Sequence, residues 1–311
     1  MIAVLSGGVG AARLLAGLVQ VRPPADLTAI VNVGDDIELH GLHISPDLDT
    51  ITYTVAGAID PERGWGLRDE TWRAMEALGR FPSARSWFNL GDQDLATHLY
   101  RTDRLRAGAP LSTVTAEIAD AFGLGLRLLP VSDDPVRTIV TVPGDEDGAD
   151  VEIGFQEYFV QRHHDISVRA VRFAGAAQAR PGPGVLEALA GAQRVVIAPS
   201  NPIVSIDPVL AVPGVREAVA ARRDDVVAVS PIIAGAALKG PADRLMRELG
   251  HESSVVGIAR LYAPLAATLV IDEADAASAA DVEAQGIRCV VAPTIMSGPA
   301  ESAALGEVVL A

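Results

Sequence analysis

The N-terminal stretch constrains the fold most strongly, because an apolar strand runs directly into a glycine turn and then into a helix. The strand residues Ile2 to Leu5 are followed by Ser6-Gly7-Gly8-Val9-Gly10 and by apolar residues at helical spacing. A second apolar run, Leu27 to Val33, ends in Gly34-Asp35-Asp36. Two successive strands that end in polar, glycine-containing loops place those loops at one edge of a sheet, where open α/β sheets bind ligands.

The composition indicates a large folded protein and argues against two classes of partner. The chain has 311 residues, of which 49% are hydrophobic, enough to bury a large core. A formal net charge of −15 opposes binding to a nucleic-acid backbone or an anionic membrane. No run reaches the roughly 18 apolar residues that span a membrane. We therefore expect a cytoplasmic enzyme with no nucleic-acid partner and no membrane partner.

The pattern along the chain predicts an α/β fold with a Rossmann-like, mostly parallel sheet. After residue 186, apolar strands alternate with helical segments, which is typical of βα units. The strands predicted there are Arg194 to Ile197, Asp225 to Val229, Leu269 to Ile271 and Arg288 to Val291. Residues 61–125 are predicted to be mostly helical. The short runs Leu126 to Leu129 and Val136 to Val142 begin a region typical of antiparallel strands. We therefore expect 1–60 and 186–311 to form the core, and 61–185 a smaller helical and antiparallel α+β insertion.

The glycine turn is a candidate phosphate loop. Glycines let the backbone approach a phosphate, and the helix that follows offers free N–H groups. The spacing matches neither the dinucleotide fingerprint G-x-G-x-x-G nor the Walker loop, because no Gly-Lys-Ser/Thr follows. A tight turn between strand and helix explains the same residues equally well. Asn32 and Asp35, after the second strand, would either read a ribose or hydroxylated chain, or cap a helix.

Two carboxylates stand two residues apart in Pro46-Asp47-Leu48-Asp49-Thr50, which we expect to be a loop that precedes a helix. Asp47 and Asp49 would suit one Mg²⁺, which prefers a few carboxylates together with phosphate oxygens and water. One of them could instead take the proton of an attacking hydroxyl. A turn followed by a helix cap is the alternative that needs no ligand. Asp92, with His98 a little further on, leaves the same alternatives open.

Loops after the later strands carry further polar candidates. Ser200 and Asn201 lie in Pro199-Ser200-Asn201-Pro202 at the end of a predicted strand, and the Asn201 amide can donate and accept at once, as base recognition requires. Ser230 and Lys239 flank a second loop, and Lys239 is the only lysine of the chain. Arg162-His163-His164-Asp165 has the residue types of a metal cluster, but we favour a solvated turn there.

Six motifs in this order together resemble the 2-phospho-L-lactate transferase family of coenzyme F-420 biosynthesis, over essentially the whole chain. They are Ser6-Gly7-Gly8-Val9-Gly10, Ile44-Ser45-Pro46-Asp47-Leu48-Asp49-Thr50, Leu90-Gly91-Asp92-Gln93-Asp94 with Ala96-Thr97-His98, Ser132-Asp133-Asp134-Pro135, Pro199-Ser200-Asn201-Pro202 and Val229-Ser230-Pro231-Ile232. The resemblance implies transfer of a phospho-acid group from a GDP-activated donor to the ribityl hydroxyl of Fo (7,8-didemethyl-8-hydroxy-5-deazariboflavin), with release of GMP. It also implies Mg²⁺ as cofactor and, commonly, a homodimer. The acid would be 2-phospholactyl, enolpyruvyl phosphate or 3-phosphoglyceryl.

Motif position and chemistry suggest a role for each candidate residue under this resemblance. Asp49, with Asp47 nearby, is expected to contact the ribityl hydroxyl or Mg²⁺. The substrate-binding residues are expected to be Gly7, Gly8 and Gly10 around phosphate oxygens or the ligand chain, Asn32 and Asp35 beside them, Ser200, Asn201 and Ser230 on the nucleotide, Lys239 on a phosphate, and Asp92 and His98 on the Fo side. We expect Fo and the nucleotide-activated acid to meet in the Rossmann-like core.

Two other functions compete with this hypothesis. A non-catalytic regulator that binds a nucleotide or a sugar phosphate, from a related paralogous group, would keep the same glycine loop. An NAD(P)-dependent oxidoreductase would share the fold type but is weakened by the missing G-x-G-x-x-G. The two carboxylates of 46–50 and the Gly91-Asp92 pair favour the transferase.

Overall fold

A computed structural model describes residues 1–144, 149–238 and 240–311. In chain order its strands are β1 (Ile2–Ser6), β2 (Leu27–Val31), β3 (Ile37–Leu39), β4 (Leu42–Ile44), β5 (Arg127–Pro130), β6 (Arg137–Pro143), β7 (Asp150–Gly154), β8 (Ala170–Ala174), β9 (Arg194–Ile197), β10 (Val226–Val229), β11 (Ile232–Ile233), β12 (Ala236–Ala237), β13 (Thr268–Ile271) and β14 (Arg288–Val291). The helices are α1 (Gly8–Val21), α2 (Pro46–Val55), α3 (Arg73–Leu78), α4 (Asp94–Arg106), α5 (Leu111–Ala121), α6 (Val185–Gly191), α7 (Asp207–Leu210), α8 (Val215–Ala220), α9 (Ala242–Glu248), α10 (Val255–Tyr262), α11 (Ala279–Glu283) and α12 (Pro299–Leu310).

The central element is a seven-stranded parallel sheet in the order β14-β13-β10-β9-β1-β2-β5. Strands β1, β2, β10 and β13 are buried along their whole length, as expected for a parallel sheet that is covered on both faces. The α/β class with a mostly parallel sheet is thereby confirmed. From β1 the chain adds β2 and β5 on one side, and later β9, β10, β13 and β14 on the other. The carboxyl ends of β1 and β9 therefore border the point where the strand order reverses, which is where such sheets bind ligands.

The region between residues 61 and 185 differs from the prediction in two places. Strand β5, which we placed in the antiparallel insertion, pairs in parallel with β2 and forms an edge of the central sheet. Residues 61–93, predicted to be mostly helical, contain only the six-residue α3 as an α-helix. Gly64 and Gly66 adopt positive φ angles of 73° and 68° there, which interrupt a helix. The antiparallel strands that follow are as predicted, because β6 pairs with both β7 and β8.

Helices α1 and α12 lie so close together that the residue at position 17, in α1, must be glycine. The buried side chains Leu14, Leu15 and Leu18 of α1 share its inner face, as their helical spacing predicts. A Cβ atom on Gly17 would lie 2.1 Å from the backbone oxygen of Ser302 in α12. Backbone cannot yield as a flexible side chain can, so the packing of α1 against α12 depends on Gly17. No helix in the described part of the chain is long and apolar enough to cross a membrane.

We predict that Gly17→Ala lowers the free energy of unfolding by roughly 1–3 kcal/mol, because the added methyl group forces the two helices apart. Gly191→Ala is the matched control. It also lies in a helix, but its Cβ would meet only the flexible end of Met1, at 3.7 Å. That variant should be neutral, or more stable by up to about 1 kcal/mol. Urea unfolding measures both, and equal effects of the two substitutions would contradict the prediction.

Candidate active site

A cavity of about 780 Å³ opens at the carboxyl edge of the parallel sheet. Its centre is lined by loops that follow β1, β2, β9, β10 and β14. The loops and the first turn of α1, which begins at Gly8, contribute Gly7, Gly8 and Gly10, Asp35, Ser200 and Asn201, Ser230, and Thr294 with Met296. One further wall comes from α2 together with the insertion, and a second comes from the insertion alone. One contains Asp49, Tyr53, Trp65, Trp87 and His98, and the other contains Phe155, Phe159, His163 and His164. The cavity is therefore assembled from nearly every segment that reaches this edge of the sheet.

The glycine turn is pressed against the loop that follows β9. A Cβ atom on Gly10 would lie 2.1 Å from the backbone oxygen of Pro199, and one on Gly7 would lie 2.8 Å from the Cβ of Ser205. The Ser200 hydroxyl donates a hydrogen bond to the Gly7 carbonyl oxygen at 2.7 Å. Close packing of two loops therefore accounts for these glycines before any ligand is considered. The predicted role of the turn in contacting phosphate stays a prediction.

Asp47 connects the glycine turn to the loop after β2. One carboxylate oxygen accepts a hydrogen bond from the Gly8 backbone N–H at 2.8 Å, and the other accepts one from Asn32 Nδ2 at 2.9 Å. The Asn32 side-chain oxygen in turn accepts a bond from the Gly34 N–H at 2.7 Å. The segment around Asp47 is not the loop that we predicted. Helix α2 begins at Pro46, because proline at the first helical position loses no helical hydrogen bond.

Asp35 and Asp47 are carboxyls that the fold keeps in an unfavourable environment. Burial raises the pKa of Asp47 from 3.8 to about 6, against the opposing hydrogen bonds from Asn32 and Gly8. Burial, and next the charge of Asp47, raise the pKa of Asp35 well above its ordinary value. In the described residues, Oδ1 of Asp35 is buried without a hydrogen-bond partner. A cation between these two groups would relieve both the repulsion and the unsatisfied oxygen.

The donor set at this point fits Mg²⁺ only if a ligand completes it. Within residues 1–144, 149–238 and 240–311, no group of three or more His, Cys, Asp or Glu side chains is placed to hold a metal ion. Mg²⁺ commonly takes one or two carboxylates and fills its shell with phosphate oxygens and water. Asp35 and Asp47 meet that requirement for a phosphate-bearing ligand. From the sequence we predicted that Asp47 and Asp49 together hold the metal ion. In the structure the carboxylate of Asp49 is bonded to Arg101 instead.

Asp49 belongs to a buried ionic cluster between α2 and α4. Its two carboxylate oxygens accept hydrogen bonds from both terminal nitrogens of Arg101, one of them at 3.0 Å. His98 lies between two carboxylates, with Nδ1 3.7 Å from Asp49 and Nε2 3.2 Å from Asp94. Burial alone would raise the pKa of Asp94, but the hydrogen bonds and charges of its neighbours hold it below its ordinary value. The Tyr53 hydroxyl donates to Asp94 at 2.5 Å.

The remaining predicted residues fall into three groups. Asn201 and Ser230 line the cavity but also serve local structure. Asn201 Oδ1 accepts from the Ile203 N–H at 3.0 Å, and the Ser230 hydroxyl donates to the Ile232 oxygen at 2.9 Å. Asp92 does not line the cavity. It accepts hydrogen bonds from the Thr71 hydroxyl and from two backbone N–H groups at the start of α3. Lys239 lies outside the described residues.

Several cavity residues were not among our sequence candidates. Besides the aromatic walls, the described lining includes two arginines, Arg13 and Arg63. His163 and His164, which we assigned to a solvated turn, line the cavity and adopt positive φ angles of 52° and 44°. His164 stacks on Phe159 with ring centroids 5.3 Å apart. Two sequence signals could have found some of these residues: the proximity of Arg13 to the glycine turn, and the adjacent histidines of 162–165.

The fold is that of an α/β protein with a cavity at the carboxyl edge of its parallel sheet, where such proteins bind small molecules, and buried carboxylates line this cavity. The family model of 2-phospho-L-lactate transferase CofD matches residues 2–294, so the chain belongs to this family. The resemblance seen in the sequence is thereby confirmed, and with it the class of phospho-acid transferases in coenzyme F-420 biosynthesis.

Relatives of similar length support the same family. A phosphoenolpyruvate transferase of Streptomyces griseus is 46% identical over 98% of this chain and 96% of its own. One from Mycolicibacterium smegmatis is 42% identical over 98% of this chain and 96% of its own. Among solved structures, protein BH3568 from Bacillus halodurans matches with a TM-score of 0.61 and 17% identity, covering 100% of this chain and 99% of that one. That likeness shows the fold alone.

We predict that Arg101→Met destabilises the fold by about 3–5 kcal/mol, because it leaves the buried Asp49 carboxylate without its counter-charge. The double variant Arg101→Met, Asp49→Leu removes both charges and should recover at least half of that loss. Urea unfolding of the two single variants and the double variant gives the coupling free energy. Additive effects of the two substitutions would show that the pair is not the source of the loss.

Proposed function

We propose that the protein transfers a phospho-acid group from a GDP-activated donor to the ribityl hydroxyl of Fo, releasing GMP, in coenzyme F-420 biosynthesis. The observation that carries the proposal is the pair of buried carboxylates, Asp35 and Asp47, that line the cavity of a chain that belongs to the CofD family. Carboxylates with raised pKa values are concentrated at functional sites, and these two lie in a cavity. The likeness to BH3568 shows only the fold, so nothing specific favours the alternative of a non-catalytic regulator.

The names of the relatives favour one of the three possible donors. Sequences that are 42% to 46% identical over nearly their whole lengths are phosphoenolpyruvate transferases. We therefore propose enolpyruvyl phosphate, joined to GMP through a diphosphate bond in the donor, as the group transferred by this chain. The 2-phospholactyl group lacks the double bond of enolpyruvyl phosphate, and the 3-phosphoglyceryl group has a free hydroxyl and carries its phosphate on another carbon. A few side chains in the cavity would decide between the three groups.

The chemistry requires alignment and charge stabilisation more than a reactive side chain. The ribityl oxygen forms a bond to phosphorus, the bond from phosphorus to the GMP oxygen breaks, and the hydroxyl proton is released. Asp35 and Asp47 would hold Mg²⁺, which supplies positive charge beside the phosphate oxygens. Asp49 lines the same cavity with its carboxylate fixed by Arg101, and we propose that it orients the hydroxyl. A homodimer and a cytoplasmic location stay predictions.

Incubation with Mg²⁺, Fo and each of the three guanylylated acids tests the proposal directly. We expect mass spectrometry to show an Fo product that carries enolpyruvyl phosphate, together with one GMP for each product formed. Little or no product should appear with the other two donors. Absence of product with all three donors, in a preparation that unfolds cooperatively, would refute the transferase.

The raised pKa values predict how Mg²⁺ stabilises the protein at different pH. Because burial raises the pKa of Asp47 in the folded protein to about 6 from its ordinary value of 3.8, its ionisation lowers the free energy of unfolding as the pH rises between these values. Mg²⁺ needs the ionised form and offsets this loss. With GDP present, Mg²⁺ should therefore raise Tm more at pH 7.5 than at pH 5.

A phosphate of the nucleotide also titrates near this pH. Two variants distinguish its contribution to the Mg²⁺ effect on Tm from the contribution of the protein's carboxylates. Asp47→Asn should lose most of the Mg²⁺-dependent rise in Tm at pH 7.5, whereas Asp49→Asn should keep it. The nucleotide contributes equally to both measurements. If Asp49→Asn loses the effect and Asp47→Asn keeps it, the assignment of the metal to Asp35 and Asp47 is wrong.

A further inference from the structure

We infer that Arg13 binds an oxyanion group of the donor, either a phosphate of the diphosphate or the carboxylate of the activated acid. The inference rests on the proposed function for the identity of the ligand. Its basis in the structure is the distribution of charge around the cavity.

The cavity is acidic, although the proposed donor is an anion. Carboxylates of four residues, Asp35, Asp47, Asp49 and Asp94, line it, and the chain as a whole has a formal net charge of −15. Arg101 offsets the charge of Asp49 but does not line the cavity. A diphosphate that also carries a carboxylate therefore needs more positive charge than one metal ion supplies, and it needs that charge at the cavity surface.

In the described lining, two arginines can supply this charge, and one of them is already paired. Arg63 lies 2.8 Å from Asp60, donates to the Leu67 carbonyl oxygen at 2.9 Å, and packs over two tryptophan rings. Arg13 has no carboxylate partner among the residues that the structure describes. Its one hydrogen bond there runs from Nη1 to the Met296 carbonyl oxygen at 3.1 Å. Within the described residues, no direct ion pair therefore occupies the guanidinium of Arg13.

The position of Arg13 suits an oxyanion that lies against the glycine turn. Arg13 is in α1, three residues after Gly10, and is half-buried. Its bond to Met296 ties it to the loop after β14, which also lines the cavity. A guanidinium that is anchored through one nitrogen keeps other N–H donors in a fixed plane, the geometry that binds carboxylate or phosphate through two oxygens. Little side-chain entropy is then lost when the ligand binds.

Calorimetric titration with GDP and with guanylylated phosphoenolpyruvate, both with Mg²⁺, tests the inference. Arg13→Met should weaken binding of at least the guanylylated acid by about ten- to a hundredfold, the loss expected for a hydrogen-bonded charge pair. Arg13→Lys keeps the positive charge without the planar guanidinium, so its affinity should lie between those of Arg13→Met and the wild type. Arg194→Met is the matched control. It removes a half-buried arginine that donates to a backbone oxygen but does not line the cavity, and it should bind as the wild type does.

The two titrations identify the oxyanion. Loss of affinity for both ligands places Arg13 on the diphosphate, whereas loss for the guanylylated acid alone places it on the carboxylate. Fo binding, followed by fluorescence, should change less than twofold in either case. Unchanged binding of both nucleotides by Arg13→Met, or an equal loss of Fo affinity, would overturn the inference. A wild type that binds the nucleotides but forms no product would refute the transferase and leave the titrations decisive for Arg13.

Discussion

The carboxylate of Asp47 holds together the two loops on which the site depends. It accepts one hydrogen bond from the glycine turn and one from Asn32, which in turn orders the loop after β2. This arrangement costs free energy. Burial raises the pKa of Asp47 to about 6, and the charge of Asp47 in turn raises the pKa of the buried Asp35 carboxyl. Loops that are held by a buried carboxylate in this way would be preorganised for the cation and the anionic ligand that we propose, and binding of both would offset the cost of burial.

Much of the fold could be predicted because the parallel strands are continuous apolar runs between turn signals. The strands Arg194–Ile197 and Arg288–Val291 match their predicted bounds. The four-residue strand β5 was assigned to the wrong sheet, since a run that short has no periodicity to separate an edge of a parallel sheet from an antiparallel strand. The helices predicted for 61–93 are mostly absent. Gly64 and Gly66 adopt positive φ angles there, and Trp65 and Trp87 line the cavity, so tertiary contacts outweigh local helix propensity.

The centre of the site could also be predicted, because topology brings the loops after parallel strands together. Its chemistry was harder to predict. Asp47 and Asp49 are two residues apart in a helix, about 200° around its axis, so they meet different partners although the sequence pairs them. Asp92 has the residue type of a ligand but bonds to the start of α3. The wall around His164 comes from a distant segment, and only tertiary packing brings it to the glycine turn.

Anomalous diffraction from crystals grown with Mn²⁺ and GDP measures directly which carboxylates hold the cation. Mn²⁺ takes oxygen ligands much as Mg²⁺ does and scatters anomalously. We predict one anomalous peak within bonding distance of Asp35 and Asp47 and of a phosphate oxygen of GDP. A peak on Asp49 beside Arg101, or bound GDP with no ordered Mn²⁺, would contradict the account of a site built around the buried carboxylate of Asp47.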